Sequence, residues 1–178
     1  MNHDSEEKSS GWVDDAVRRH GPPLTCYARS IVHRSDCASD CVQDTFIRMA
    51  QRPRKPDDIL RPWLFRVCRN RCLDWLRKEK RMKPLGTHEA ILKDDTSTPD
   101  KAAEVSDSTR AVLALIDELS PTQREVMRLK YQAGMSYQEI ATVTGRSVNH
   151  IGVILHESMQ ALRQSIRRQS DLLGAPLR

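Results

Sequence analysis

The residues in this chain whose spacing suits them to chemistry are cations and amides rather than nucleophiles. Arg66, Asn70, Asp74, Arg77 and Arg81 recur one helical turn apart, so on a helix they share one face. Between Arg61 and Lys83 there are nine basic residues (Arg61, Arg66, Arg69, Arg71, Arg77, Lys78, Lys80, Arg81, Lys83) against two acidic ones, Asp74 and Glu79. Such a surface can follow a phosphate backbone, and the Asn70 amide offers a donor and an acceptor to a base edge. Alone, a charge run of this kind ordinarily means a solvated helix face. A second set shifts the balance: Arg146, Asn149, His150, Val153 and His156 stand just beyond a turn at Gly145, on the outward side of a predicted helix. No catalytic triad, phosphate-binding glycine loop or metal-ligand set stands out, so neither an enzyme nor a cofactor is expected.

The five cysteines are Cys26, Cys37, Cys41, Cys68 and Cys72. Their number is odd, and no secretory signal precedes them, so a disulfide framework is not expected. Cys37 with Cys41, and Cys68 with Cys72, lie one turn apart on predicted helices, and His33 lies one turn before Cys37. Zinc sites place close cysteines in knuckles rather than along continuous helices. Small buried core residues are the better reading, with no metal site.

The second set is positioned by a run of helix signals from Leu119 to Leu162. Ser120-Pro121 starts a helix that stops at Ala133-Gly134. Ser136 with Glu139 has the spacing of a capping box, and Thr144-Gly145-Arg146 is a tight turn. Ser147 caps a longer helix whose Ile151, Leu155, Ser158 and Leu162 share a buried face. A short helix, a glycine turn and a second helix make a helix-turn-helix, whose second helix enters the DNA major groove. From Ser147 to Leu162 there is no Lys or Arg. Phosphate contacts would therefore fall to Arg124, Lys130, Arg146, Arg163, Arg167 and Arg168.

The first set needs a helical scaffold of its own. Gly11 to Arg34 reads as a helix interrupted near Gly21-Pro22-Pro23, with Val13, Ala16 and Val17, then Leu24, Tyr27 and Ile31, turned inward. Ser35-Asp36 is expected to cap the next helix, which buries Cys37, Cys41, Val42, Thr45, Phe46 and Met49. That leaves Asp40, Gln43, Asp44 and Ile47 outward. Arg52 to Asp58 reads as a loop. Arg61-Pro62-Trp63 opens a helix whose Leu64, Cys68, Cys72 and Leu76 form the buried stripe. From Pro84 to Asp107, six acids outnumber Lys93 and Lys101 among Gly, Ser, Thr and Pro, which predicts a flexible acidic linker. Ser106 or Ser108 then caps a helix carrying Leu115, Ile116 and Leu119.

The expected fold is all-α: a helical domain over 11–83, a linker over 84–107 and a helix-turn-helix domain over 108–170. A formal charge of +5 suits a polyanionic partner. No apolar run approaches the roughly eighteen residues of a membrane span, and the polar start is not a signal peptide, so a cytoplasmic protein without membrane insertion is expected.

Together the two modules resemble the extracytoplasmic-function (group 4) sigma factors of the sigma-70 family, bacterial RNA polymerase specificity subunits. The resemblance runs from about Val13 to Arg168. DCASDCVQDTFIRM resembles the helix that docks on the beta-prime clamp of core polymerase, which implies Asp40, Gln43, Asp44 and Ile47 as contacts. WLFRVCRNRCLDWLRKEKR resembles the helix that opens and reads the minus-ten element, which implies Arg66, Asn70, Arg77, Lys78 and Arg81. Arg52 to Leu60 would be the loop that receives a flipped-out base. Leu119 to Leu162 resembles the domain that reads the minus-thirty-five element and meets the beta flap, which implies Arg146, Asn149, His150, Val153 and His156. The chain departs from the family pattern at Gly152, Val153, Ile154 and Glu157, where basic or small polar residues are usual. The resemblance further implies promoter DNA and an anti-sigma factor as partners. Two other readings stand beside it: a stand-alone helix-turn-helix regulator, and a thiol or metal sensor built on His33 and the cysteines.

Overall fold

The computed structural model describes residues 3–82 and 114–173, which are helical apart from their connections and fall into two compact units. The acidic linker and the caps proposed at Ser106 or Ser108 lie outside the described residues. No described helix is long and apolar enough to cross a membrane.

The amino-terminal unit packs three helices: α1 (His3–Val32), α2 (Ser35–Ala50) and α3 (Asp57–Met82). Each contacts the other two. α1 is not interrupted: it runs straight through Pro22 and Pro23. Each proline removes one amide donor, leaving the carbonyls of Arg18 and Arg19 without their helical partners. Both residues are exposed, so water can serve those carbonyls. Thr25 Oγ1 also donates to the Gly21 carbonyl at 2.9 Å. Burial of Leu24, Tyr27, Ala28 and Val32 immediately downstream holds the helix across the break. Val17 is turned to solvent, and His20 takes the inward position instead. His20 Nε2 lies 2.8 Å from Asp57 Oδ1 and ties α1 to the start of α3. The hydrogen bond from His20 holds the Asp57 carboxyl below its ordinary value.

α2 starts at Ser35 with Arg34 in the cap position and no side-chain cap, so Ser35-Asp36 lies inside the helix. Asp36 instead takes a bidentate pair from Arg34, at 3.3 and 2.6 Å, and this hydrogen bonding holds its carboxyl down at about 2. An acid in the first turn also suits the positive end of the helix dipole. His33 absorbs the sharp α1–α2 reversal with a left-handed φ of 55°. The inward set of α2 is as its periodicity predicts: Cys37, Cys41, Val42, Thr45, Phe46 and Met49 are all buried, with Ala38.

α3 begins at Asp57, a turn earlier than Arg61-Pro62-Trp63 suggests. The Pro56 carbonyl accepts from Ile59 and Leu60 at 3.1 and 2.8 Å, and Asp57 and Asp58 suit the first turn. Pro62 sits one turn in, and the carbonyl it leaves without a donor belongs to exposed Asp58. Leu64, Cys68 and Cys72 are buried as the periodicity requires. Phe65, which the stripe omits, is buried too, its ring 5.2 Å from that of Tyr27.

Cys41, Cys68 and Cys72 meet between α2 and α3, close enough for their thiols to hydrogen-bond. Burial pushes Cys37 up to about 11 and Cys41 up to about 12, and the Cys68 hydrogen bond raises Cys72 further. These shifts disfavour the thiolate, the reactive form, at Cys37, Cys41 and Cys72. Among the described residues, no three His, Cys, Asp or Glu side chains converge as a metal site.

The carboxy-terminal unit comprises a helical turn at 114–117, α4 (Pro121–Met127) continuing into a π-helical turn Arg128–Gln132, α5 (Tyr137–Thr144) and α6 (Val148–Leu173). Two reciprocal capping boxes start its helices. Ser120 and Gln123 exchange bonds of 3.4 and 3.3 Å at α4, and Ser136 and Glu139 exchange 3.2 and 2.8 Å at α5. Gly134 and Gly145 take left-handed φ values of 63° and 71° where α4 and α5 stop. Ser147 Oγ accepts from the His150 amide at 3.3 Å to start α6. Ile140, Ile151, Ile154, Leu155 and Leu162 form the core with Val126, Leu129 and Met135. Ser158 is buried among them, its hydroxyl satisfied by the Ile154 carbonyl at 2.6 Å.

Two outcomes follow. In the folded protein at neutral pH, a thiol reagent should modify one of the five cysteines rapidly, exposed Cys26, and the others only on unfolding. Mass mapping of modified cysteines checks this, and rapid labelling of Cys41 or Cys72 would contradict the buried seam. Gly145→Ala should lower stability by about 1–2 kcal/mol, because an L side chain is strained at φ 71°. Chemical denaturation of the variant measures it.

Candidate nucleic-acid interface

Burial of one α3 stripe fixes what the opposite stripe can do. With Leu64, Cys68 and Cys72 inside, Arg66, Asn70, Asp74, Arg77, Lys78 and Arg81 all come out exposed on one side. Arg77 Nη1 donates to Asp74 Oδ1 at 2.6 Å, and Arg81 Nε reaches the Arg77 carbonyl at 3.4 Å. Both pairs are solvent-exposed and weak enough to yield to a phosphate. Arg66, Asn70 and Lys78 make no side-chain hydrogen bond or ion pair with another described residue.

Two cation–aromatic contacts brace this helix. The Arg34 guanidinium lies 5.6 Å from the Trp75 ring centroid, and the Arg52 guanidinium lies 5.3 Å from that of Trp63. Arg52 thereby ties the exposed 51–56 loop to the first turns of α3. A cleft of about 410 Å³ opens between that loop and α1, lined by Trp12, Arg19, Arg54, Lys55 and Leu60 among others. Sequence reasoning missed the part of Trp12 in this cleft and of Arg34 at Trp75. Neither pairing has a local spacing signal, since each joins residues far apart in the chain.

On α2, Asp40, Gln43 and Ile47 are exposed, Ile47 by 55%. Asp44 is different: it forms an ion pair with Arg71 of α3. It therefore joins the acidic face of α2 to the basic face of α3.

In the carboxy-terminal unit, Arg146, Asn149, His150, Val153 and His156 are all exposed along the start of α6. Arg146 Nη1 meets His150 Nε2 at 3.2 Å, and Gln160 Nε2 meets His156 Nε2 at 3.1 Å. Ile154, one of the positions departing from the family pattern, is 5% exposed and belongs to the core. Two of the expected phosphate contacts are committed inside the unit. Arg124 Nη2 donates to the carbonyls of Asp117 and Leu119 at 2.6 and 3.2 Å, closing the helical turn before α4. Lys130 Nζ donates to the Met135 carbonyl at 3.2 Å. Arg146, Arg163, Arg167 and Arg168 are exposed and keep that potential.

Comparison with known proteins bears on both units. The family model described as Sigma-70 region 2 matches residues 16–82, and that described as Sigma-70, region 4 matches residues 109–162. The ECF RNA polymerase sigma factor SigL of Mycobacterium tuberculosis is 31% identical over 151 residues, covering 83% of this chain and 85% of that protein. The RNA polymerase sigma factor CarQ of Myxococcus xanthus is 29% identical over 156 residues, covering 85% and 87%. CnrH, in its structure with the cytosolic domain of CnrY, is similar with a TM-score of 0.60 and 25% identity, over 92% of this chain and 94% of that one. The exposed basic stripe of one unit and the capped helix-turn-helix of the other thus lie within the two matched regions. The chain belongs to the sigma-70 family in its extracytoplasmic-function class, and is a non-enzymatic subunit that directs RNA polymerase to initiate transcription.

Proposed function

We propose a division of labour within that activity. The domains are 11–83 for polymerase docking and minus-ten recognition and 108–170 for the minus-thirty-five element and the beta flap, with 84–107 as an acidic connector. Asp40, Gln43 and Ile47 of α2 dock on the beta-prime clamp. Asp44 contributes from a position shared with Arg71. Arg66, Asn70, Arg77, Lys78 and Arg81 of α3 take the minus-ten strand. Arg66, Arg77, Lys78 and Arg81 neutralise phosphates, and the Asn70 amide pairs with an exposed base edge. The observation that carries this reading is the exposed stripe itself: five residues suited to phosphates and a base edge, aligned by the burial of Leu64, Cys68 and Cys72 behind them.

In the carboxy-terminal domain, Arg146 anchors the backbone while Asn149, His150, Val153 and His156 face base edges. The protein would work in the cytoplasm, where polymerase is. CnrH is held in its structure by the cytosolic domain of a second protein, CnrY. By analogy, a regulatory partner of anti-sigma type would bind this chain.

Asn70→Ala should reduce open-complex formation roughly tenfold or more, the worth of a base-edge contact at 1–3 kcal/mol, without changing affinity for core polymerase. Permanganate reactivity of promoter thymines reads the first, and a core-binding titration reads the second. Equal losses in both would assign α3 to polymerase instead. Asp40→Lys should weaken the complex with core polymerase, and more so at low salt, since an exposed ion pair is screened at high salt. Unchanged affinity across a salt series would leave that side of α2 merely solvated.

A further inference from the structure

The outward side of α6 carries exposed apolar residues, and no Lys or Arg from Ser147 to Leu162, where a cationic surface would be expected. Tyr137, Val148, Gly152 and Val153 line a shallow depression there, together with Asn149, His156 and Glu157. Tyr137, Val148 and Val153 are 41%, 36% and 52% exposed. Single exposed apolar residues need no explanation, but several converging on one concave spot do. The wall of the depression is held in place. Lys130 Nζ lies 5.2 Å from the Tyr137 ring centroid on one side. On the other side the ring lies against α6, where a Cβ built on Gly152 would meet Tyr137 Cε2 at 3.8 Å. Gly152 is not demanded by its backbone, since only Gly134 and Gly145 among the described glycines take positive φ. A helix interior is weakened by glycine relative to alanine, so the missing side chain calls for another use. Here it leaves the floor of the depression open.

In the major groove, thymine presents the one apolar group on any base edge, its C5-methyl, while the paired adenine presents N6 and N7 to an amide. We propose that this depression seats a thymine methyl of the upstream promoter element. Tyr137, Gly152 and Val153 act as specificity-determining residues, and Asn149 takes the paired adenine. The proposal rests on reading the carboxy-terminal domain as the upstream-element reader. Glu157 is consistent with it: a carboxylate beside the depression repels phosphates and disfavours seating this stretch of α6 on the backbone. Backbone contacts then fall to Arg146 on one side and Arg163, Arg167 and Arg168 on the other.

The test uses the full chain assembled with core RNA polymerase. The holoenzyme first selects an upstream element from a randomised library. Each thymine of the selected element is then replaced in turn by deoxyuridine, which removes only the methyl group. One such replacement should weaken promoter binding roughly fourfold, the worth of one methyl withdrawn from water. That penalty should disappear in Val153→Ala, and shrink in Gly152→Ala, whose added methyl occupies the floor. Val153→Ala should keep the wild-type thermal unfolding midpoint, since Val153 is exposed, and Gly152→Ala should match or raise it, since a Cβ there makes only ordinary contact and alanine is the better helix former. If an upstream element is selected but deoxyuridine is neutral at every position, the methyl site is overturned while the reader role stands. A penalty that persists unchanged in both variants overturns the assignment to these residues. Failure to select any upstream element overturns both the site and the reader role.

Discussion

The amino-terminal unit depends on the seam where α3 packs its Leu64, Cys68 and Cys72 stripe against α1 and α2. Tyr27 of α1 packs on Phe65, and Cys41 of α2 meets Cys72, so α3 is held from both sides. A helix rotated by one residue would turn the basic stripe partly into the core, where unpaired cations are strongly disfavoured. The apolar side of α3 is therefore what aims Arg66, Asn70 and Arg77 at a partner. The thiols belong to that packing. Burial raises the Cys37 and Cys41 thiols above their ordinary range, which disfavours the reactive thiolate.

The Asp44–Arg71 pair gives the seam a functional edge. It lies where the acidic outer face of α2 meets the basic outer face of α3. One ion pair therefore spans the surface proposed for polymerase and the surface proposed for DNA. A partly exposed pair of this kind contributes little to stability by itself. Its consequence is geometric: Asp44 is not freely available to a protein partner, and Asp40, Gln43 and Ile47 form the open part of that face.

Much of this was legible in the sequence, for physical reasons that differ between the units. In the carboxy-terminal unit the signals are local. Ser120 before Pro121, Ser136 with Glu139, and glycine at 134 and 145 are each decided within one turn, and the helix ends fall where they say. In the amino-terminal unit, side-chain periodicity placed the buried face of α2 and the exposed stripe of α3, but it omitted buried Phe65, counted half-buried Leu76, and over-weighted proline. Pro22, Pro23 and Pro62 all lie inside helices because tertiary packing outweighs local preference and exposed carbonyls can turn to water. Nothing local marks His20 with Asp57 or Arg34 with Trp75, since each joins different helices. Charge alone likewise misjudged Arg124 and Lys130, which the fold uses to satisfy backbone carbonyls.

The central claim is that the exposed stripe of α3 meets melted promoter DNA while α2 meets polymerase. Site-specific photo-crosslinking tests it most directly, with a photoreactive side chain placed at position 70 and, separately, at position 47 of the full chain in a promoter-bound holoenzyme. The account predicts that position 70 crosslinks to bases of the opened minus-ten region and position 47 to a polymerase subunit. Crosslinks from position 70 to polymerase alone, or from position 47 to DNA, would contradict it.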